Sequence, residues 1–392
     1  MLKAADALAD AGHAVRVVAT RFEPWAAQAD EDARSRRLWR IAVIDRTRRT
    51  SIYWTSGVRR RAARLIATCT GPDHAPFAIV VRAYARLHSE LVAAAAAERA
   101  DLFYGGTSAT LAAVAEAARR QRVPYGLDLE DFHSAESEAS DAAFTHALAA
   151  RVERAVLGRA AVLTTSSAAI ASAYRDKYGV LPRVVGNTFP LPARAPEFGA
   201  RRNGPLRLYW FSQTIGAGRG LEDAVLAMGR AGVDGELHLR GRPANGYLTE
   251  LQRVAAAHAP KLAIVHHPPA PPDSMVDLAR GYDVGLALEQ MTVLNHQLAL
   301  SNKALTYILA GLAVAITDTP GQHALGVDLG GGLVPPGDVD ALASVLSRWA
   351  ADPDALDRAK RAGWDAARRR WHWEHADERG ALVSLVEAAL AR

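Results

Sequence analysis

The sequence predicts an α/β protein of two domains, each a parallel sheet covered by helices. Short apolar runs alternate with amphipathic stretches of helical period through most of the chain, the pattern of parallel strands joined by helical crossovers. The alternation fails once, around residues 190–205, where "PLPARAPEFGARRNGP" has the proline, glycine and arginine content of a linker. The 392 residues suffice for two ordinary domains, and 49% hydrophobic with 23% charged residues is the composition of a globular chain with a real core.

In order, "LKAADALADAGHAVRVVATRF" reads as an amphipathic helix stopped by Gly12, then a strand over Ala14 to Ala19. "DLFYGG", "YGLDLED" and "AVLTTS" read as buried strands, each followed by a helical pattern. Beyond the linker the strands are "LRLYWFS", "GELHLRG", "LAIVHH", "DVGLALE" and "LAVAIT", again separated by helical stretches. The last segment, "EHADERGALVSLVEAALAR", reads as an amphipathic helix. The expected organisation is two Rossmann-like domains, residues 1–190 and 205–370, with a terminal helix over 371–392.

No apolar run approaches the roughly 20 residues that span a bilayer, and Asp6 and Asp10 interrupt the start where a signal peptide needs unbroken apolar residues. A cytoplasmic chain is the expectation. The lone Cys69 excludes an internal disulfide and a cysteine-rich zinc site, and reads as a buried small hydrophobe. From Arg34 to Arg64 there are eleven arginines and one acid, Asp45, a local excess of +10 that leaves the remainder of the chain at −5 for a total of +5. Trp39, Tyr53 and Trp54 are interleaved with these cations. Such a surface suits anionic lipid headgroups or an acidic acceptor, and equally a solvated face. No nucleic-acid motif accompanies it.

Open parallel sheets bind ligands beyond the carboxyl ends of their strands, so the residues that follow each apolar run carry the functional reading. After "LRLYWFS", with Gln213 next in line, "TIGAGRGLEDAV" sets Gly216, Gly218 and Gly220 around Arg219 just before a helix. Glycines allow close backbone approach, a helix start offers free N–H groups, and arginine grips phosphate bidentately. A flexible turn with a solvated arginine reads as well from these residues alone. In "LSNKALTYILAGLAVAITD", Ser301 caps a helix over Asn302 to Ala310 that buries Leu305, Ile308 and Leu309 and ends at Gly311. Lys303 then sits in the first turn, where the helix dipole disfavours a cation. Either an anionic ligand offsets that cost or the ammonium reaches water.

Together these stretches resemble the retaining glycosyltransferases of the GT-B fold, close to family 4. "GRG" matches the family's "GRL...KG" loop, with Arg219 in place of the usual lysine. "SNKALTYILAGLAVA" matches "NK..EY..AG.PV", "DVGLALE" and "GHAVRVVA" fit the pattern, and Asn187 in "VVGNTFP" stands where the family has the asparagine of "PNG". The resemblance implies a metal-independent transfer with retention from a UDP- or GDP-sugar, in a cleft between the domains. On the donor side it implies Gln213, Gly218, Arg219, Gly241, Glu289, Asn302, Lys303 and Thr306. In the first half "GLDLEDFHSAESE" is similar to the family's "D.HD..E" segment, and implies Glu130, Asp131 and His133 as groups that orient the acceptor hydroxyl or take its proton; read from the residues alone, acids there equally suit a helix N-terminus.

Three departures qualify the match. Thr306 stands where the family has a glutamate for the donor ribose, which leaves Glu289 as the nearest carboxylate. Thr214 stands near the place of the loop arginine. The chain begins inside the first helix, so the family's first strand and its glycine-rich acceptor loop are missing. A GT-B nucleotide-sugar epimerase and a non-catalytic GT-B partner subunit are the rival readings. His266 and His267, adjacent on an extended run, point to opposite sides and do not suit one metal ion. The acceptor is expected to be lipid-linked or anionic, at the inner membrane surface.

Overall fold

The computed structural model describes residues 1–22, 37–136, 141–199 and 204–392. The chain forms two compact units, Met1–Gly186 with Ala376–Arg392, and Asn187–His375. Every strand pairing among the described residues is parallel, as the alternation of the sequence predicts.

The first unit opens with helix α1 (Leu2–Asp10), strand β1 (Arg16–Arg21) and strand β2 (Arg40–Asp45). Strand β1 begins two residues later than the apolar run suggests. Gly12 at φ 93° and a bond from the His13 N–H to the Leu8 carbonyl (3.0 Å) consume the intervening residues in the helix exit. After helix α2 (Ser51–Thr70) come β3 (Phe103–Gly106), β4 (Tyr125–Leu129), helix α3 (Ala142–Val156), β5 (Val162–Thr165), helix α4 (Ala168–Tyr178) and β6 (Arg183–Val184). The strands make two sheets, β1–β2 and β3–β4–β5–β6. Asp6 ties α1 to the start of β2, accepting from Trp39 Nε1 (2.7 Å) and Arg37 Nε (3.1 Å). The C-terminal segment joins the same unit through Arg379–Asp10 (3.0 Å) and Arg183–Asp377 (2.8 Å). It starts as a π-helical turn, Ala376–Gly380, before the regular helix Ala381–Leu390. Cys69 is exposed, not buried: it lies near the end of α2 on that helix's outer side.

The second unit is one six-stranded sheet of order β12-β11-β10-β7-β8-β9. Its strands are β7 (Leu206–Ile215), β8 (Gly235–Pro243), β9 (Leu262–His267), β10 (Val284–Ala287), β11 (Ala313–Thr317) and β12 (Leu333–Val334). Period-two alternation sorts each strand between two cores. Leu208 and Trp210 pack with Leu221, Val225 and Met228 of helix α5 (Leu221–Ala231), whereas Tyr209 packs with Tyr307, Ile308 and Leu309 of helix α6 (Asn302–Ala310). A buried pair, Lys360 Nζ to Asp283 Oδ1 at 2.9 Å, fixes helix α7 (Pro353–Arg369) to the sheet. The proline-rich stretch packs on this unit: Arg361 covers Phe198, and the Gly199 N–H bonds Asp357 (2.8 Å).

Helix α6 lies so close to β10 that a Cβ at Gly285 would overlap the Tyr307 ring. Gly285→Ala is therefore expected to cost about 1–3 kcal/mol by overpacking, read as a lower urea midpoint at unchanged slope. A variant as stable as the parent would refute the close approach.

Candidate functional site

The start of α6 brings a carboxylate, an ammonium and a hydroxyl together. Glu289, just past the end of β10, accepts from Lys303 Nζ at 2.7 Å and from Ser301 Oγ at 3.0 Å. Ser301 is thus not a side-chain cap; its hydroxyl is turned to Glu289 and makes no bond to the helix N–H groups. The carboxylate supplies the anion that Lys303 needs in the first turn of a helix. Burial pushes the Glu289 carboxyl up, but the Lys303 charge and the two hydrogen bonds outweigh it and hold the group at about 2. Lysine has three ammonium donors; among the described residues one is taken by Glu289, and the ammonium lies 5.8 Å from the centre of the Trp210 ring.

The backbone of Glu289 is clamped from β11. Thr317 Oγ1 donates to the Glu289 carbonyl (2.8 Å), and Gln322 Nε2, fully buried, reaches the Ala287 carbonyl (3.2 Å) and Thr317 Oγ1 (3.0 Å). Sequence reasoning missed Ser301 as a Glu289 partner, and missed Thr317 and Gln322 altogether. Only the position of Thr317 at the end of an apolar run hinted at it.

The arginine loop joins this group from α5. Gly220 takes φ 70°, and a Cβ there would stand 2.5 Å from the Leu288 carbonyl and 2.9 Å from Gln290 Nε2, so only glycine lets residues 216–220 lie on the segment that carries Glu289. Gln290 Nε2 locks the contact by donating to Asp223 in the first turn of α5 (3.0 Å). Arg219 is half-buried and has no hydrogen-bond or ion-pair partner among the described residues. Gln213, Gly218 and Asn302 are exposed in the same set of strand-end loops. Gly241, buried with φ 148°, has no room for a Cβ beside the Ser212 carbonyl; its position is fixed by strand packing. Thr306 is fully buried and donates to the Asn302 carbonyl (3.0 Å), so it offers a ligand nothing. His266 and His267 do point apart, to the Gly241 carbonyl (2.8 Å) and to His238 (2.9 Å).

In the first unit, Glu130 and Asp131 follow β4 and are half-buried. Burial, then Asp128 and Asp131, pushes the Glu130 carboxyl up; burial does the same to Asp128, which accepts from Thr164 Oγ1 at 2.8 Å. Lys3 of α1, lowered by burial to about 8, faces these acids. His133 is only 3% exposed, which leaves it no surface to meet an acceptor. Its Nδ1 lies 3.0 Å from Glu136, and its backbone N–H bonds the Tyr174 hydroxyl (3.3 Å), which also sits 2.7 Å from the buried Glu153. Burial lowers the His133 pKa, but Glu136, with Glu153 and Asp131, raises it by more.

Residues 1–188 match the glycosyl transferase 4-like domain family. The chain has the GT-B fold, and the match to the glycosyl transferase 4-like domain lies in its first half. Sucrose-phosphate synthase from Thermosynechococcus elongatus is similar in structure with a TM-score of 0.66 at 16% identity, over 96% of this chain and 99% of that one. HepE from Anabaena, in complex with UDP and glucose, has a TM-score of 0.65 at 14% identity, over 96% and 99%. A UDP-forming trehalose-phosphate synthase from Burkholderia xenovorans has a TM-score of 0.58 at 14% identity, over 97% and 99%. No curated protein sequence matches the chain. At such identities the structural likeness is one of fold.

Two predictions follow the charges. Lys303→Met strands a buried carboxylate and is expected to cost about 3 kcal/mol at pH 7, with the loss shrinking at pH 3. The parent's gain from the depressed Glu289 pKa is full above its ordinary 4.5 and fades as pH falls toward 2. Urea unfolding at both pH values decides it, and equal losses would refute the pairing. For His133, raised above 6.5, the pairing stabilises at low pH and is lost as pH rises through the folded value. Glu136→Gln is expected to move the His133 titration downward in a histidine NMR experiment.

Proposed function

We propose that the chain moves a hexosyl group from a UDP-sugar to an acceptor hydroxyl, with retention and without a metal. The observation that carries this reading is Arg219, a cation without a protein partner, held by Gly220 against the segment that bears the Lys303–Glu289 pair. Two cations, each at the start of its own helix, suit a diphosphate, whose departure is the largest electrostatic demand of such a transfer. The acceptor oxygen bonds the anomeric carbon as the bond to the diphosphate breaks, and UDP leaves with the electron pair. HepE is a protein of this fold in complex with UDP and glucose, which supports UDP over GDP.

In this reading Arg219 and Lys303 hold the diphosphate, and Gln213 and Asn302 supply neutral hydrogen bonds. Glu289 accepts from ribose or sugar hydroxyls in place of the carboxylate missing at Thr306. Glu130 and Asp131 orient the acceptor hydroxyl and take its proton, a role that for Glu130 is favoured by burial and by the neighbouring carboxylates, which push its carboxyl up. His133 acts only by holding that turn in place. The acceptor is a lipid-linked or anionic alcohol, reached at the cytoplasmic side of a membrane. The loss of a ribose carboxylate at Thr306 favours a second reading, a GT-B subunit that binds nucleotide without turnover. Release of UDP from UDP-glucose in the presence of acceptor separates the two.

Calorimetric titration with UDP tests the donor site. Arg219→Ala is expected to weaken binding at least about tenfold, the order of one charge-assisted contact, with an unchanged melting temperature because Arg219 has no structural partner. If the parent binds neither UDP nor GDP, or if the variant binds as tightly as the parent, the assignment fails.

A further inference from the structure

Helix α2 carries an outward face that neither the fold nor the donor site uses. Trp54, Val58 and Leu65 recur at helical spacing along it and are 64%, 65% and 66% exposed, with Ile66 and Cys69 beside them. The 20 residues of α2 include no aspartate or glutamate. On the opposite side Ser56, Ala63 and Ala67 are buried. That side is fixed to its own unit: Arg59 bonds both oxygens of Glu90 (2.6 and 2.7 Å), Arg60 reaches the Ala83 carbonyl (3.3 Å), and Arg86 donates to Ser56 Oγ (3.0 Å) and covers the Tyr53 ring. The apolar stripe is thus presented outward by a helix that is already packed.

The arginines divide into two groups. Arg37, Arg40, Arg59 and Arg64 are held by Asp6, Glu98, Glu90 and Asp141. Arg48 and Arg49, in the turn before α2, and Arg61, on the stripe, are exposed and have no ion-pair partner among the described residues. Arg34 and Arg36 lie outside the described residues. The basic block therefore supplies internal ion pairs on one side and a cationic rim for an apolar stripe on the other.

We infer that this face of α2 lies in the surface of an anionic lipid bilayer, with Trp54, Val58 and Leu65 entering the headgroup and acyl boundary and Arg48, Arg49 and Arg61 at the phosphates. An amphipathic helix with a large aromatic among its apolar residues, arginines at the rim and no acid fits such a boundary. No described helix is long and apolar enough to cross a membrane, so the contact is interfacial. Charge decides between a bilayer and a second copy of the chain. A symmetric contact through this face would set Arg61 and its neighbours against identical cations with no acid on either helix to neutralise them.

The inference stands apart from the donor site and is tested by flotation of the full chain with vesicles. Vesicles of phosphatidylglycerol and phosphatidylcholine are expected to carry it, with a salt-sensitive component, and pure phosphatidylcholine much less. Trp54→Ser/Val58→Ser/Leu65→Ser is expected to lower the partition at least tenfold, and Arg48→Ser/Arg49→Ser/Arg61→Ser to remove the salt-sensitive part, both at unchanged melting temperature. Brominated lipid is expected to quench the parent's tryptophan emission more than that of Trp54→Phe, a comparison that holds even if the triple variant is unstable. The inference is overturned if the parent fails to float with anionic vesicles at low salt, if the Trp54 triple variant floats equally, if quenching is the same in Trp54→Phe, or if sedimentation shows a dimer that Trp54→Ser dissociates.

Discussion

The charged group at the end of β10 depends on how closely helix α6 approaches that strand. Gly285 removes the side chain that would keep Tyr307 away, and the helix then sinks until its residues from Ala304 to Ala310 are all buried. With the helix at that depth, Lys303 in its first turn cannot lie far from the end of β10, and Glu289 is the group it meets. The pair follows from the packing. Thr317, at the end of the adjoining strand β11, holds the Glu289 carbonyl, and Gln322 in turn holds Thr317 and the Ala287 carbonyl.

That placement organises the charges of the second unit at the start of α6. Preorganised groups stabilise developing charge without rearranging, which is why they count for more than the same groups in water. Arg219 completes the set from a different helix, and Gly220 is the reason it can. The first unit has the complementary character: Glu130 and Asp128 resist ionisation, and the buried Lys3 is eased toward its neutral form by the same burial. One unit groups Lys303 and Arg219 near the end of β10; the other groups Asp128, Glu130 and Asp131 at the end of β4.

The basic block shows how charge counts mislead when the partners are out of sight. An excess of +10 between Arg34 and Arg64 suggests one continuous cationic patch. The fold divides it, using Arg59 and Arg64 to moor α2 and leaving Arg48, Arg49 and Arg61 around an apolar stripe. Cys69, which reads from the sequence as a buried small hydrophobe, is outside, and the face of α2 toward its own unit is filled by small residues, Ser56, Ala63 and Ala67.

The sequence by itself determined the parallel α/β class, every described strand but β2, β6 and β12, and the strand-end loops that carry the functional reading. Each of these is written in local periodicity and turn chemistry, which need no knowledge of distant neighbours. It also singled out Lys303 as a cation in want of an anion. Only the tertiary structure decided which anion: Glu289 is 14 residues away, and nothing local relates the two. The same holds for Ser301, whose hydroxyl reads as a cap but donates to Glu289, and for His133, which reads as an acceptor-facing group but is buried, with its backbone N–H on Tyr174 of α4. Local pattern fixes what an element is; which groups meet is fixed by the depth and register at which elements pack.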